Sequence, residues 1–416
     1  MAEFDYEPKG ILNRNEFRRA VRDARFNAFR KDSRIKVRNE AEFEAMKAHV
    51  ENLISDTDVS TSFVDSAGQV FDCIPIDEQP SLRESGGSPV EPPSLAREIG
   101  AEETEPTDTA DEQPETDRFG NLMKCPPGFV PVRRLTLEEL SRFETLADFF
   151  SKTGAKPLIP PSTPSADTSQ NHRYAYAYQN IDNLGGHSFL NTRAPSVTGD
   201  QIFSLCQHWY SAGSGAAHQT VEVGWQVYPG KYGHSQPVIF IYWTPDNYGS
   251  GGGYNLDKPG FVQTNNAWTI GGTISPVGTA GGQQYEIEVT FYLSGGNWWL
   301  YLGGVQTQHA VGYYPASVFN GGAMVNHATQ ALYGGETVCG ATGPWGDMGS
   351  GAFSGAIYPH AAWQRAIFVM PKSGGAQWAS LSGQSPSPAC YDQFVKSYAP
   401  PWNVTLFYGG PGGGNC

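Results

Sequence analysis

A carboxylate set in the middle of an apolar strand is costly unless water or chemistry accounts for it. Glu222 is such a residue. It lies in Val221-Glu-Val-Gly-Trp225, where Val221, Val223, Trp225 and Val227 alternate as one strand face and Glu222, Gly224 and Gln226 share the other. Glu336 is a second, placed after two glycines in Gly334-Gly-Glu-Thr337, where a backbone or a ligand can pass close by. Two carboxylates in one site cannot both ionise easily. One then keeps a proton while the other serves as base, which suits hydrolysis by an activated water. Spacing alone does not show that the two meet. An outward, solvated face is the ordinary reading of any one strand glutamate. Against it stands the poverty of charge here, since residues 165–416 hold eleven acids and seven Lys or Arg. Glu286 and Glu288, on one face of QYEIEVTFYL, read as a wet strand face.

Other chemistries find less support. No GxSxG or HExxH occurs, and the three Gly-Ser-Gly triplets at 213, 249 and 349 read as turns. The histidines after residue 170 show no metal-ligand spacing, so neither a metal nor a cofactor is expected. Cys206 and Cys339 lie in strand-like runs without cationic neighbours, a poor setting for a reactive thiolate.

The elements that must position the glutamates begin at residue 172. About a dozen short strands separated by Gly and Asn turns predict an all-β domain over 171–416, an antiparallel β-sandwich of two sheets. What precedes it is of another kind. Residues 14–32 and 38–54 read as amphipathic helices within a helical segment 1–60, and 61–76 as a hairpin around Asp65-Ser-Ala-Gly68. Residues 83–118, acidic and rich in Pro, Glu and Thr, read as a disordered linker. LTLEELSRFETLADFF reads as one helix opened by a capping box of Thr136 and Glu139. A Pro-rich linker at 156–170 leads into the β domain.

Net charge is −14, and neither half carries the basic surface that nucleic-acid binding requires. No apolar run is long enough to span a bilayer, and the N-terminus lacks the apolar stretch of a signal peptide. Six cysteines without CxxC suit disulfides and a secreted or extracellular setting, although no signal peptide is visible. Pairing within regions would join Cys73 to Cys125 and Cys390 to Cys416, leaving Cys206 with Cys339. Four cysteines permit three connectivities, so that last assignment stays open.

The segments HRYAYAY, VEVGWQVYPGKYG, FIYWTPDNY, YNLDKPGFVQTN, GNWWLYLG, VGYYPASVF, YGGETV and FYGGPGG occur in order and together resemble the neprosin family of glutamic prolyl endopeptidases. GQVFDCIPIDEQP and KCPPGFVPVRRLTLEEL resemble that family's activation peptide, which makes 61–155 a pro-domain. The helices at 14–54 are not part of that pattern, and with them the N-terminal part reads as a smaller α+β pro-segment. The resemblance implies Glu222 and Glu336 as the catalytic pair, cleavage after proline at acidic pH, synthesis as a zymogen, and a pro-segment acting as intramolecular inhibitor. Partners would be proline-containing polypeptides. A cysteine pair that relatives carry around YNL is missing. Gln226 is a candidate substrate contact, and Tyr242 and Trp243 are candidates for an aromatic wall against proline, at least one of them being a core residue by alternation. The rival expectation is a sugar-binding β-sandwich whose rings, as in NWWLYLGG, face the ligand.

Overall fold

A computed structural model describes residues 13–54, 57–96, 115–152, 171–340, 343–414 and 416. Three short strands, β1 (Ser62–Val64), β2 (Val70–Pro75) and β3 (Phe129–Arg133), form a small sheet in the N-terminal part. The strands of the large sheet follow as β4 (His172–Asn191), β5 (Gln201–Ala212), β6 (Gln219–Val227), β7 (Val238–Thr244), β8 (Gly253–Tyr254), β9 (Val262–Gln263), β10 (Glu286–Ser294), β11 (Asn297–Leu302), β12 (Ala310–Pro315), β13 (Ala328–Cys339) and β14 (Ala362–Pro371). Four short strands beyond β14 complete it.

The all-β expectation holds, but the hydrogen bonds do not divide the strands into two sheets. They run unbroken through one sheet of 15 strands, whose main path is β8-β7-β6-β5-β13-β4-β10-β11-β12-β9. The strand β4 makes this continuity possible. Its first half pairs with β13 and its second half with β10 and β14. The sheet curls so that distant strands share one core. Val221, Val223 and Trp225 of β6 belong to the same apolar cluster as Val289 and Phe291 of β10 and Trp298 and Leu300 of β11. The indole N–H groups of Trp225 and Trp298 donate to the carbonyls of Asn191 and Met324, both at 2.8 Å, so these buried rings leave no donor unmet. Trp298 is buried in the main core, while Trp299 and Tyr301, the rings that a sugar-binding reading of NWWLYLGG would expose, pack against Leu82, Leu95 and Ala96 of the N-terminal part.

The opposite face of β5–β8 is covered by the N-terminal part. Phe17, Phe43, Met46, Leu140 and Phe149 join Leu205, Phe240, Tyr242 and Tyr254 in a second apolar cluster. Helices span Arg14–Asp23, Phe26–Phe29 and Glu40–Ile54. The expected hairpin turns at Asp65, whose carboxylate accepts the N–H groups of Ala67 and Gln69. The capping box of Thr136 and Glu139 forms as the pattern requires. The helix it opens does not run on, however. It stops at Ser141, and a second capping box of Thr145 and Asp148 starts a new helix, Leu146–Phe150. That break turns the chain so that Phe149 and Lys152 enter the large domain.

Parts of the acidic segment are ordered by packing. Leu95 and Ala96 are buried beside Trp299 and Tyr301, and Asp117 accepts the N–H of Val64. Residues 97–114 lie outside the described residues, as does 153–170, which contains the Pro-rich linker. Disulfides join Cys73 to Cys125 and Cys390 to Cys416. Cys206 and Cys339 are free, contrary to the third pairing. The register explains why: Cys206 sits opposite Gly335, while Cys339 sits opposite Gln201, well along the same pair of strands.

Candidate active site

Three neighbouring strands bring the glutamates together. Glu336 of β13 stands opposite Leu205 of β5, and Glu222 of β6 stands opposite Trp209 of β5. Between them a row crosses the sheet as Gly334, Gln207 and Gly224. A Cβ at Gly224 would collide with the carbonyl of Cys206, and one at Gly334 with that of Ala175. The glycines therefore let the strands approach and leave room between the carboxylates, where Gln207 is the one residue of this row that carries a side chain.

Lys152, at the end of the N-terminal part, fills that space. Its Nζ lies 2.6 Å from Oε2 of Glu222 and 2.9 Å from Oε2 of Glu336. All three groups are almost wholly buried. Each glutamate has further donors. Thr220 Oγ1 and Tyr248 Oη both donate to Oε1 of Glu222 at 2.9 Å. His172 Nδ1 lies 2.6 Å from Oε1 of Glu336, and Tyr174 Oη donates to the same oxygen at 2.9 Å. The amide of Gln207, with its nitrogen on Glu222, donates to Oε2 at 2.9 Å while its oxygen accepts from Lys152 Nζ at 3.1 Å.

Burial by itself would raise the pKa of Glu336, but Lys152 and His172 outweigh it and hold the carboxyl down at about 2. Burial lowers the pKa of Lys152, and the two carboxylates more than reverse this, so the ammonium stays charged. Tyr248 is pushed well up by burial and then by Glu222, which keeps it a hydrogen-bond donor. A cation bridging two buried carboxylates is a closed arrangement. Without the cation, the same two groups must share protons.

Of the residues expected at the site, Glu222 and Glu336 meet through one ammonium. Gln226 lies on the same face, and its Nε2 donates to Tyr254 Oη at 3.3 Å. Tyr242 is also on this face, opposite Glu222, and stacks on Tyr248 at 5.9 Å. Trp243 is not at the site. It points into the core against Tyr314, as strand alternation requires once Tyr242 faces the glutamates. Lys152, His172, Tyr174, Gln207, Thr220 and Tyr248 were not singled out by sequence. Tyr174, Gln207 and Thr220 were reachable from the alternation of faces along their strands; Lys152 carried no local signal.

Comparison with known proteins bears on this geometry. A family model described as neprosin matches residues 200–411, slightly more than half of the chain, and this span contains both glutamates. The chain belongs to the neprosin family. Solved structures that resemble this chain include a scytalido-glutamic peptidase with a transition state analog inhibitor. That match has 12% identity, covers 57% of this chain and 98% of the other, and has a TM-score of 0.29. SCP-B, of the eqolisin family of peptidases, in complex with the tripeptide Ala-Ile-His, matches at 12% identity over 60% of this chain and 100% of its own, with a TM-score of 0.29. No residue role is carried over from either.

Among the described residues no group of His, Cys, Asp and Glu is arranged to hold a metal ion. No described helix is long and apolar enough to cross a membrane.

Proposed function

We propose that this chain is the zymogen of a secreted glutamic endopeptidase, which cleaves after proline in acid and is held inactive by Lys152 of its own pro-segment. The carrying observation is the single ammonium shared by two buried glutamates. A basic side chain delivered by an N-terminal segment onto a carboxylate pair neutralises the charge and occupies the space that a water and a scissile carbonyl would need. Neprosin membership supports the peptidase class.

In the working enzyme Lys152 is absent and the pair holds one proton. The ionised glutamate takes a proton from water as that water attacks the carbonyl. The protonated one hydrogen-bonds the carbonyl oxygen as negative charge develops there, and then protonates the leaving amine. Thr220, Tyr248, Tyr174 and His172 fix the two carboxyl groups in place. The stacked rings of Tyr242 and Tyr248 border Glu222 and offer a flat apolar surface to a proline ring.

The test is acidification of the full-length protein. It should be nearly inactive at pH 7, and at low pH it should cut itself within 158–170, releasing a product of about 250 residues that digests peptides after proline. A peptide-library digest read by mass spectrometry reports the specificity. Full activity of the uncut chain, or cleavage unrelated to proline, contradicts the reading.

A further inference from the structure

Lys231, in the Tyr-Pro-Gly-Lys-Tyr turn after β6, has no part in the chemistry above, yet it is fully buried. Its Nζ donates to the carbonyl of Phe149 at 3.2 Å, lies 3.5 Å from the centre of the Phe149 ring, and lies 4.7 Å from that of Tyr254. Tyr254 Oη in turn donates to the carbonyl of Lys152 at 3.2 Å. The stretch Phe149–Lys152 is thus held by groups of the large domain at two main-chain carbonyls and one aromatic ring, with its last side chain on the glutamates.

We propose that the seat of Phe149 is a substrate subsite for an aromatic side chain, where Lys231 receives the ring and, with Tyr254, holds the main-chain carbonyls of a bound peptide. This deepens the peptidase reading and rests on it for the identity of the ligand as substrate.

Three observations support this assignment over mere packing of a pro-segment. A carbonyl and an aromatic face are what an ammonium recognises in any peptide bearing Phe or Tyr, whereas an apolar side chain would pack the same space without the cost of burying a charge. Lys231 also has a counter-ion from its own domain, Asp257, at 3.1 Å. Its position therefore survives departure of the pro-segment, although Asp257 then loses Arg133, which lies 3.1 Å away. Lastly, Gln226 spends its amide N–H on Tyr254 while its buried Oε1 has no partner among the described residues. An acceptor left over beside two carbonyl-holding donors completes the set that an extended peptide needs.

The first test uses the acid-processed protein and peptides of fixed length with one proline, in which a single Phe replaces Ala at successive positions on both sides of the cleaved bond. One position should raise kcat/KM roughly tenfold, mainly through KM, and Lys231→Met should bring that Phe-to-Ala ratio to about 1–2, in keeping with a desolvated cation–π contact. A flat series, or a ratio that Lys231→Met leaves intact, overturns the proposal. The second test needs no catalysis. In the Glu336→Gln protein, nicked within 153–170 by an added protease, excess peptide of sequence TLADFFSK should displace the pro-segment at about tenfold lower concentration than TLADAFSK, read by native mass spectrometry. Equal displacement, or none by either peptide, contradicts the subsite. Failure of self-processing with success of this displacement would instead count against the peptidase reading alone.

Discussion

His172 places its Nδ1 2.6 Å from Oε1 of Glu336, so the first residue of β4 fixes one half of the glutamate pair from the neighbouring strand. Tyr174, two residues on, reaches the same oxygen. The carboxylate is thereby held in one orientation by two side chains. Replacing His172 by Phe should lower kcat of the processed enzyme by about 10- to 100-fold, the worth of a hydrogen bond to a charged group. It should also shift the acid limb of the pH–rate profile, which a purely structural defect would not do. Unchanged kcat and profile would remove His172 from the site.

Lys152→Met deletes the bridging ammonium. One of the two carboxyl groups must then take a proton, and the N-terminal part loses a buried polar tie to the large sheet. Breaking a buried pair in this way costs about 3–5 kcal/mol. The full-length variant should melt at lower temperature than wild type and should process itself at higher pH. Both are read by calorimetry and by gel analysis after incubation across a pH series.

The pH dependence of the lock follows from Glu336. Its carboxyl is held at about 2 in the locked form, below its ordinary value of 4.5. A depressed folded pKa contributes stability above the unfolded value, and that stability is lost as pH falls toward the folded one. The stability that this carboxylate contributes to the folded full-length chain is therefore complete above about pH 4.5 and fades between there and about 2. Thermal unfolding of the full-length protein across a pH series should show this window in wild type and lose it in Glu336→Gln.

His208 sets a limit on acid tolerance. It is buried behind the glutamate face, and burial, with His187 nearby, lowers its pKa from 6.5 to about 3. The unfolded chain takes up a proton below pH 6.5 that the folded chain refuses, so stability falls with pH from about 6.5 down to about 3. Thermal unfolding of His208→Gln should depend less on pH across that range than wild type does.

Two free thiols should react only after unfolding. Burial pushes Cys206 up to about 12, and Cys339 is also raised by burial. Alkylation of the native protein should leave both unmodified, and alkylation in denaturant without reductant should label two cysteines. A linkage between Cys206 and Cys339 in a non-reducing peptide map would contradict the register of β5 and β13.

Much of the site was legible because strand alternation is a local property. Glu222 and Gln226 fall on one face by counting residues, whereas alternation put one of Tyr242 and Trp243 in the core without saying which, and the register of β6 and β7 decides it. Glu336 was legible through its glycines. Lys152 was not, since no local pattern marks it, and the break between the two short helices before it is signalled only by a second capping box, Thr145 with Asp148, that a single-helix reading passes over. The single curled sheet was hidden for a similar reason. A 20-residue strand that changes partners midway looks, in sequence, like two ordinary strands.

The central claim is that Glu222 and Glu336 act together and that Lys152 holds them off. It is tested most directly by incubating wild type, Glu222→Gln and Glu336→Gln full-length proteins alone at about pH 4, with intact mass measurement and N-terminal sequencing over time. Wild type should convert to a product beginning within 158–170, and both variants should remain uncut while keeping wild-type circular dichroism. Conversion of either variant at the wild-type rate would contradict the account.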